Sequence, residues 1–125
     1  MIRVLVIDDD HAQRFLFAQL LKRTGFEVET STSGDTALEL LIVDSRFDVI
    51  LTDLRMPGTN GQYLIHELQT YYPQIPVVLM SVLGLTEWPD QTAFGLMIYL
   101  QKPFDRLQLV DAIRKAIDGN RTTPA

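Results

Sequence analysis

The sequence predicts an α/β protein built on an open, doubly wound parallel sheet with helices on both faces. Short β-branched apolar runs alternate five times with stretches of helical periodicity. Three of those runs are apolar almost throughout, as in strands covered on both sides. The chain has 125 residues, 46% hydrophobic and 22% charged, which suits one folded domain rather than an acidic disordered chain.

The first run, Ile2-Arg3-Val4-Leu5-Val6-Ile7, is a central strand. Residues 11–24 follow as a helix, with Leu16, Phe17, Leu20 and Leu21 on one stripe and Gly25 as its C-terminal cap. Phe26, Val28 and Thr30 then alternate with Glu27 and Glu29, the pattern of an edge strand. Ala37, Leu38, Leu41 and Ile42 mark a helix over 34–45. Asp48-Val49-Ile50-Leu51-Thr52 is the third strand. Leu64, Ile65, Leu68 and Tyr72 mark a helix over 62–72, with Pro73 just beyond. Pro76-Val77-Val78-Leu79-Met80 is the fourth strand. Over 85–94, Gly84, Trp88-Pro89 and Gly95 break the periodicity, so the fourth helix is expected to be short or distorted. Met97-Ile98-Tyr99-Leu100 is the fifth strand. A last helix is expected over 106–118, capped by Asp105 and ended by Gly119. Residues 1–119 form the expected domain, and 120–125 a flexible tail or the start of a linker.

Composition narrows the function. There is no cysteine, which excludes disulfides, thiolate metal sites and a Cys nucleophile. No apolar run approaches the ~20 residues of a membrane span, and the start is no signal peptide, so a cytoplasmic location is expected. A net charge of −5 suits direct nucleic-acid binding poorly.

The polar residues that remain sit at strand ends. Asp8-Asp9-Asp10 follows the first strand and Asp53 the third; Ser81 ends the fourth, and Lys102 follows the fifth. In a doubly wound sheet these positions share the carboxyl edge, where ligands bind. Taken singly, an Asp after a strand is most often a turn or cap residue, an acidic triplet is a solvated loop, and Ser81 and Lys102 say little. Together they form a set. Two carboxylates ~4 Å apart repel by roughly 4 kcal/mol at an effective dielectric of ~20, and a hard cation offsets that. Oxygen-only ligands point to Mg²⁺. A carboxylate, a hydroxyl, a lysine and such an ion suffice for phosphoryl transfer.

These pieces resemble the receiver domain of two-component response regulators. The likeness covers roughly residues 2–118 and rests on four segments: Val4 to Asp10; Asp48 to Gly58 with Gly61; Pro76 to Ser81; and Tyr99-Leu100-Gln101-Lys102-Pro103-Phe104. The resemblance implies a flavodoxin-like sheet of order 2-1-3-4-5. It implies that Asp53 is the phospho-acceptor, taking its phosphoryl group from a histidine kinase or phosphotransfer protein. It implies Mg²⁺ bound by Asp9, by Asp8 (in part through water), by Asp53 and by the backbone carbonyl of Arg55. Ser81 would bond a phosphoryl oxygen, Lys102 would pair with phosphate or the acids, and Tyr99 would be the switch aromatic. The Lys102–Pro103 bond would be cis. A homodimer or effector would use the face of the fourth helix and fifth strand.

The sequence also departs from the family pattern. Val82 follows Ser81 where a small residue is usual, and would crowd the phosphoryl entrance. The Ser81–Lys102 interval is 102 − 81 = 21 residues, about one shorter than usual. Leu83, Leu85, Trp88, Phe94 and Leu96 either pack inward or form a docking surface, and Trp88 is expected to be partly exposed. His11 and His66 are expected as solvated helix residues. A pseudo-receiver that works without phosphate is the alternative. A phosphatase of the haloacid dehalogenase type is disfavoured, because Asp8-Asp9-Asp10-His11-Ala12 lacks its threonine.

Overall fold

A computed structural model of the chain describes residues 1–53, 55–56, 59–82 and 97–122. The elements in chain order are β1 (Arg3–Ile7), α1 (His11–Thr24), β2 (Glu27–Ser31), α2 (Gly34–Val43), β3 (Val49–Asp53), β4 (Arg55–Met56), β5 (Thr59–Asn60), α3 (Gly61–Tyr71), β6 (Val77–Ser81), β7 (Met97–Gln101) and α4 (Arg106–Thr122). The main sheet is parallel, in the order β2-β1-β3-β6-β7. Counting only its own strands, that is the expected 2-1-3-4-5. The short strands β4 and β5 pair with each other.

The apolar strands are explained by side-chain alternation. Val4, Val6, Val49, Leu51, Val78 and Met80 join one core with Phe17 and Leu21 of α1 and Leu109 and Ile113 of α4. Their neighbours Leu5, Ile7, Ile50, Val77 and Leu79 join a second core with Leu41 of α2 and Leu64, Ile65 and Leu68 of α3. Each central strand therefore feeds both helical layers. A fully buried Leu or Ile side chain contributes roughly 1.5–3 kcal/mol, whereas an exposed ion pair contributes about 0–1 kcal/mol. The two cores, rather than surface charges, therefore hold the strand ends in register.

Helix ends follow local chemistry. Gly25 ends α1 at φ 103°, a left-handed conformation that glycine adopts without strain. Asp105 and Gln108 cap α4 reciprocally: the Gln108 N–H donates to Asp105 Oδ1 (2.8 Å) and the Asp105 N–H to Gln108 Oε1 (2.9 Å).

Two expected ends differ. Helix α2 stops at Val43 rather than residue 45, because Asp44 turns extended (φ −148°) and its carboxylate binds Arg3 and Arg46. Helix α4 continues through Gly119 to Thr122; a helical glycine costs about 1 kcal/mol against alanine, which weakens a helix without ending it. The helix expected over 85–94 and the exposure expected of Trp88 lie outside the described residues.

Candidate functional site

Polar side chains buried in a core cost about 1–3 kcal/mol each when unpaired, so their placement is informative. Among the described residues these are Asp8, Ser31, Thr52, Asp53 and Ser81. All of them lie at the carboxyl end of a strand of the main sheet, or one residue past it. The register brings the site residues level. Ile7 pairs with Thr52, so Asp8 and Asp53 are neighbours across the sheet. Asp53 pairs with Met80, and Ser81 with Gln101, which puts Ser81 and Lys102 at the same edge. Strand order reverses between β1 and β3, the place at which open α/β sheets bind ligands.

Each acid of the triplet has a different environment. Asp8 is fully buried. Its Oδ1 accepts the Asp10 N–H at 2.9 Å, and its Oδ2 is buried with no partner among the described residues. Burial pushes its carboxyl above the ordinary value; the Asp10 N–H and the Lys102 charge pull it back, and the Asp53 and Asp9 charges add to the rise. Asp9 is exposed. Asp10 caps α1, accepting the Gln13 N–H at 3.0 Å.

Asp53 is 8% exposed and meets the Lys102 ammonium, whose Nζ lies 2.5 Å from Oδ2. Lys102 also donates to Gln13 Oε1 at 2.8 Å. Its backbone N–H donates to the Ser81 carbonyl at 2.8 Å, joining the ends of β6 and β7. Ser81 is buried. Arg55 lies in β4, two residues past Asp53. Tyr99 lies on β7, half-buried against the α2/α3 core. The Lys102–Pro103 bond is cis. Val82 is 60% exposed, and lines with Lys102, Gln13 and Phe104 an open depression of about 390 Å³. His11 and His66 are exposed helix residues.

Among the described residues, no three acidic or histidine side chains gather closely enough to hold an ion by themselves. Mg²⁺ does not require that. It binds through one or two carboxylates and keeps water or phosphate oxygens for the rest. The buried Asp8 Oδ2, without a partner among the described residues and within the electrostatic reach of Asp53 and Asp9, fits a hard cation of that kind.

The structure adds two residues that the strand-end reading missed. Gln13 reaches Lys102, and Arg14 donates to the Asp8 carbonyl at 2.9 Å. Both sit in the first turn of the helix that leaves β1, and first-turn positions after a site strand were the available signal.

Residues 4–114 match the response regulator receiver domain family. The chain belongs to that family. Among curated relatives, the DNA-binding transcriptional regulator NtrC of Azospirillum brasilense is 37% identical over 123 residues, covering 98% of this chain and 25% of that protein. The response regulator protein FleR of Pseudomonas aeruginosa is 32% identical over 114 residues, covering 90% of this chain and 24% of that protein. The chain thus spans about a quarter of the length of the curated relatives it matches. A solved receiver domain protein from Clostridium thermocellum superposes with a TM-score of 0.86 at 27% identity, covering 97% of this chain and 98% of that one. No helix among the described residues is long and apolar enough to cross a membrane.

Proposed function

We propose that this receiver is a working phospho-acceptor, with Asp53 as the accepting group. The observation that carries this reading is the gathering of the buried polar residues at one edge, with Asp53 held by Lys102 and Asp8 buried beside it. A carboxylate oxygen of Asp53 attacks phosphorus, the phosphorus–nitrogen bond of a phosphohistidine donor breaks, and the bonding pair leaves on the imidazole. The product is an acyl phosphate.

Lys102 keeps Asp53 oriented before transfer and offers its charge to the phosphoryl oxygens afterwards. Ser81 donates its hydroxyl to one of those oxygens. Asp8, Asp9, Asp53 and the Arg55 carbonyl would hold Mg²⁺, which supplies charge neutralisation at the equatorial oxygens. Tyr99, half-buried on β7, the fifth strand of the main sheet, carries the change to the surface around it. The donor is a histidine kinase or phosphotransfer protein, and the face around β7 serves a second copy or an effector. The domain acts in the cytoplasm as a signalling switch rather than a turnover enzyme, and does not itself bind nucleic acid.

Incubation with Mg²⁺ and acetyl phosphate or phosphoramidate tests the reading. A one-phosphoryl mass gain is expected. Asp53→Asn abolishes it while the circular dichroism spectrum is kept. No gain with either donor would replace this reading with a phosphate-independent interaction module, the outcome that the exposed Val82 beside Lys102 would favour.

A further inference from the structure

Lys102 belongs to the loop after β7, and nothing in the sheet register fixes where its long side chain points. Its Nζ nevertheless has two partners among the described residues: Asp53 Oδ2 at 2.5 Å and Gln13 Oε1 at 2.8 Å. An ammonium has three N–H donors and no acceptor. Two are thus engaged, and one is left for an oxygen entering the crevice.

Gln13 is itself anchored. Its backbone N–H donates to Asp10 Oδ1 at 3.0 Å, and the Asp10 N–H donates to Asp8 Oδ1 at 2.9 Å. Arg14, the next residue, donates to the Asp8 carbonyl at 2.9 Å. A continuous chain of hydrogen bonds therefore runs Asp8–Asp10–Gln13–Lys102–Asp53. It links the two buried acids around the α1 side of the crevice.

We propose that Gln13 is a positioning residue for phosphoryl transfer: its amide oxygen holds the Lys102 ammonium beside Asp53, so that the remaining N–H is presented to the incoming phosphoryl group. The proposal rests on Asp53 being the acceptor. A lysine stem carries several rotatable bonds and about 2 kcal/mol of rotamer entropy. A second fixed partner settles that freedom before the donor arrives, which is preorganisation in the ordinary catalytic sense. Neutral Gln suits the task better than Glu. It accepts from the ammonium without placing another negative charge against an anionic phosphoryl group.

The test uses a small donor, because Gln13 is partly exposed and a protein donor would mix docking with chemistry. With acetyl phosphate at saturating Mg²⁺, Gln13→Met is expected to slow phosphorylation roughly five- to tenfold, the scale of one ordinary hydrogen bond at a partly exposed side chain. Mg²⁺ affinity should stay within about twofold, since Gln13 lies outside the proposed ion site. The second reading is the ¹⁵N resonance of the Lys102 amine. It is expected to be protected from exchange in the wild type and in Gln13→Glu, which keeps an acceptor oxygen, and unprotected in Gln13→Met. Gln13→Glu should nonetheless phosphorylate more slowly than wild type, through its charge. A wild-type rate in Gln13→Met overturns the proposal, as does amine protection that is the same in all three proteins. Failure of the wild type to take any phosphoryl group is a different result and strikes the Asp53 reading; the amine protection then still decides whether Gln13 holds Lys102.

Discussion

At the amino edge of the sheet, Arg3 gathers carboxylates: its Nη1 lies 2.8 Å from Asp44 Oδ2, its backbone N–H donates to Asp48 Oδ2 at 2.8 Å, and its guanidinium stacks 4.3 Å over the Phe47 ring. Asp44 also accepts from the Arg46 backbone and side chain, and its carboxyl is held well below the usual range, first by Arg46 and then by Arg3. At the carboxyl edge, Asp8 has one accepted N–H, one oxygen with no partner among the described residues, and a carboxyl pushed above the usual range. Both edges use Asp with a basic residue nearby. The amino edge satisfies its acids and joins β1 to the segment before β3. The carboxyl edge leaves an acid under-satisfied and spends stability on readiness. Charged clusters are therefore told apart by how completely they are paired, not by composition.

Three measurements would break or sharpen that contrast. The largest effect is expected from Asp8→Asn. It should weaken Mg²⁺ binding roughly tenfold or more. It should also raise the stability of the metal-free protein by about 1 kcal/mol, because a buried, under-paired charge disappears. Titration of Trp88 fluorescence with Mg²⁺, together with urea unfolding, reads both. A destabilised variant with unchanged metal affinity would erase the difference between the edges.

Arg3→Met is expected to act in the opposite sense. It removes the cation–π contact with Phe47, worth about 1 kcal/mol, and should lower Tm by a few degrees. Phosphorylation by acetyl phosphate should stay unchanged, since no site residue touches Arg3. A slower phosphorylation would show that the two edges are coupled through β1.

The smallest effect is a pH dependence with two slopes. Asp8 has a raised carboxyl, so the folded metal-free protein binds its proton more tightly than the unfolded chain. Stability should fall as pH rises through that raised value, above the ordinary 3.8. Asp44 has a lowered carboxyl. Its contribution is present above about 3.8 and is lost as pH falls through its folded value. Urea midpoints across pH should therefore peak between the two windows. Asp8→Asn should flatten the neutral-side slope and Asp44→Asn the acid-side slope.

Much of this was legible in the sequence. Strands β1, β3 and β6 were readable because burial on both faces makes their middles wholly apolar, with polar residues only at their ends. The edge strand β2 was readable because Glu27 and Glu29 mark its solvent side. Gly25 announced the end of α1, because only a left-handed residue was needed there. Asp8, Asp53, Ser81 and Lys102 could be placed at one edge because the topology puts strand ends together. The end of α2 at Val43 was not legible: it is set by Arg3, 41 residues away from Asp44. Gly119 misled, because glycine permits a helix end without requiring one. Gln13 escaped notice because its significance is a contact across 89 residues with a side chain whose direction no local rule fixes.

The run Asp8-Asp9-Asp10 looks like one motif and is three separate environments written in the same letter. Only the last is a helix cap, a post that Ser or Asn also fills well. Anyone grafting this crevice onto another scaffold should therefore copy the positions rather than the spelling, since a polar substitute that suits the third aspartate would empty the first of its charge.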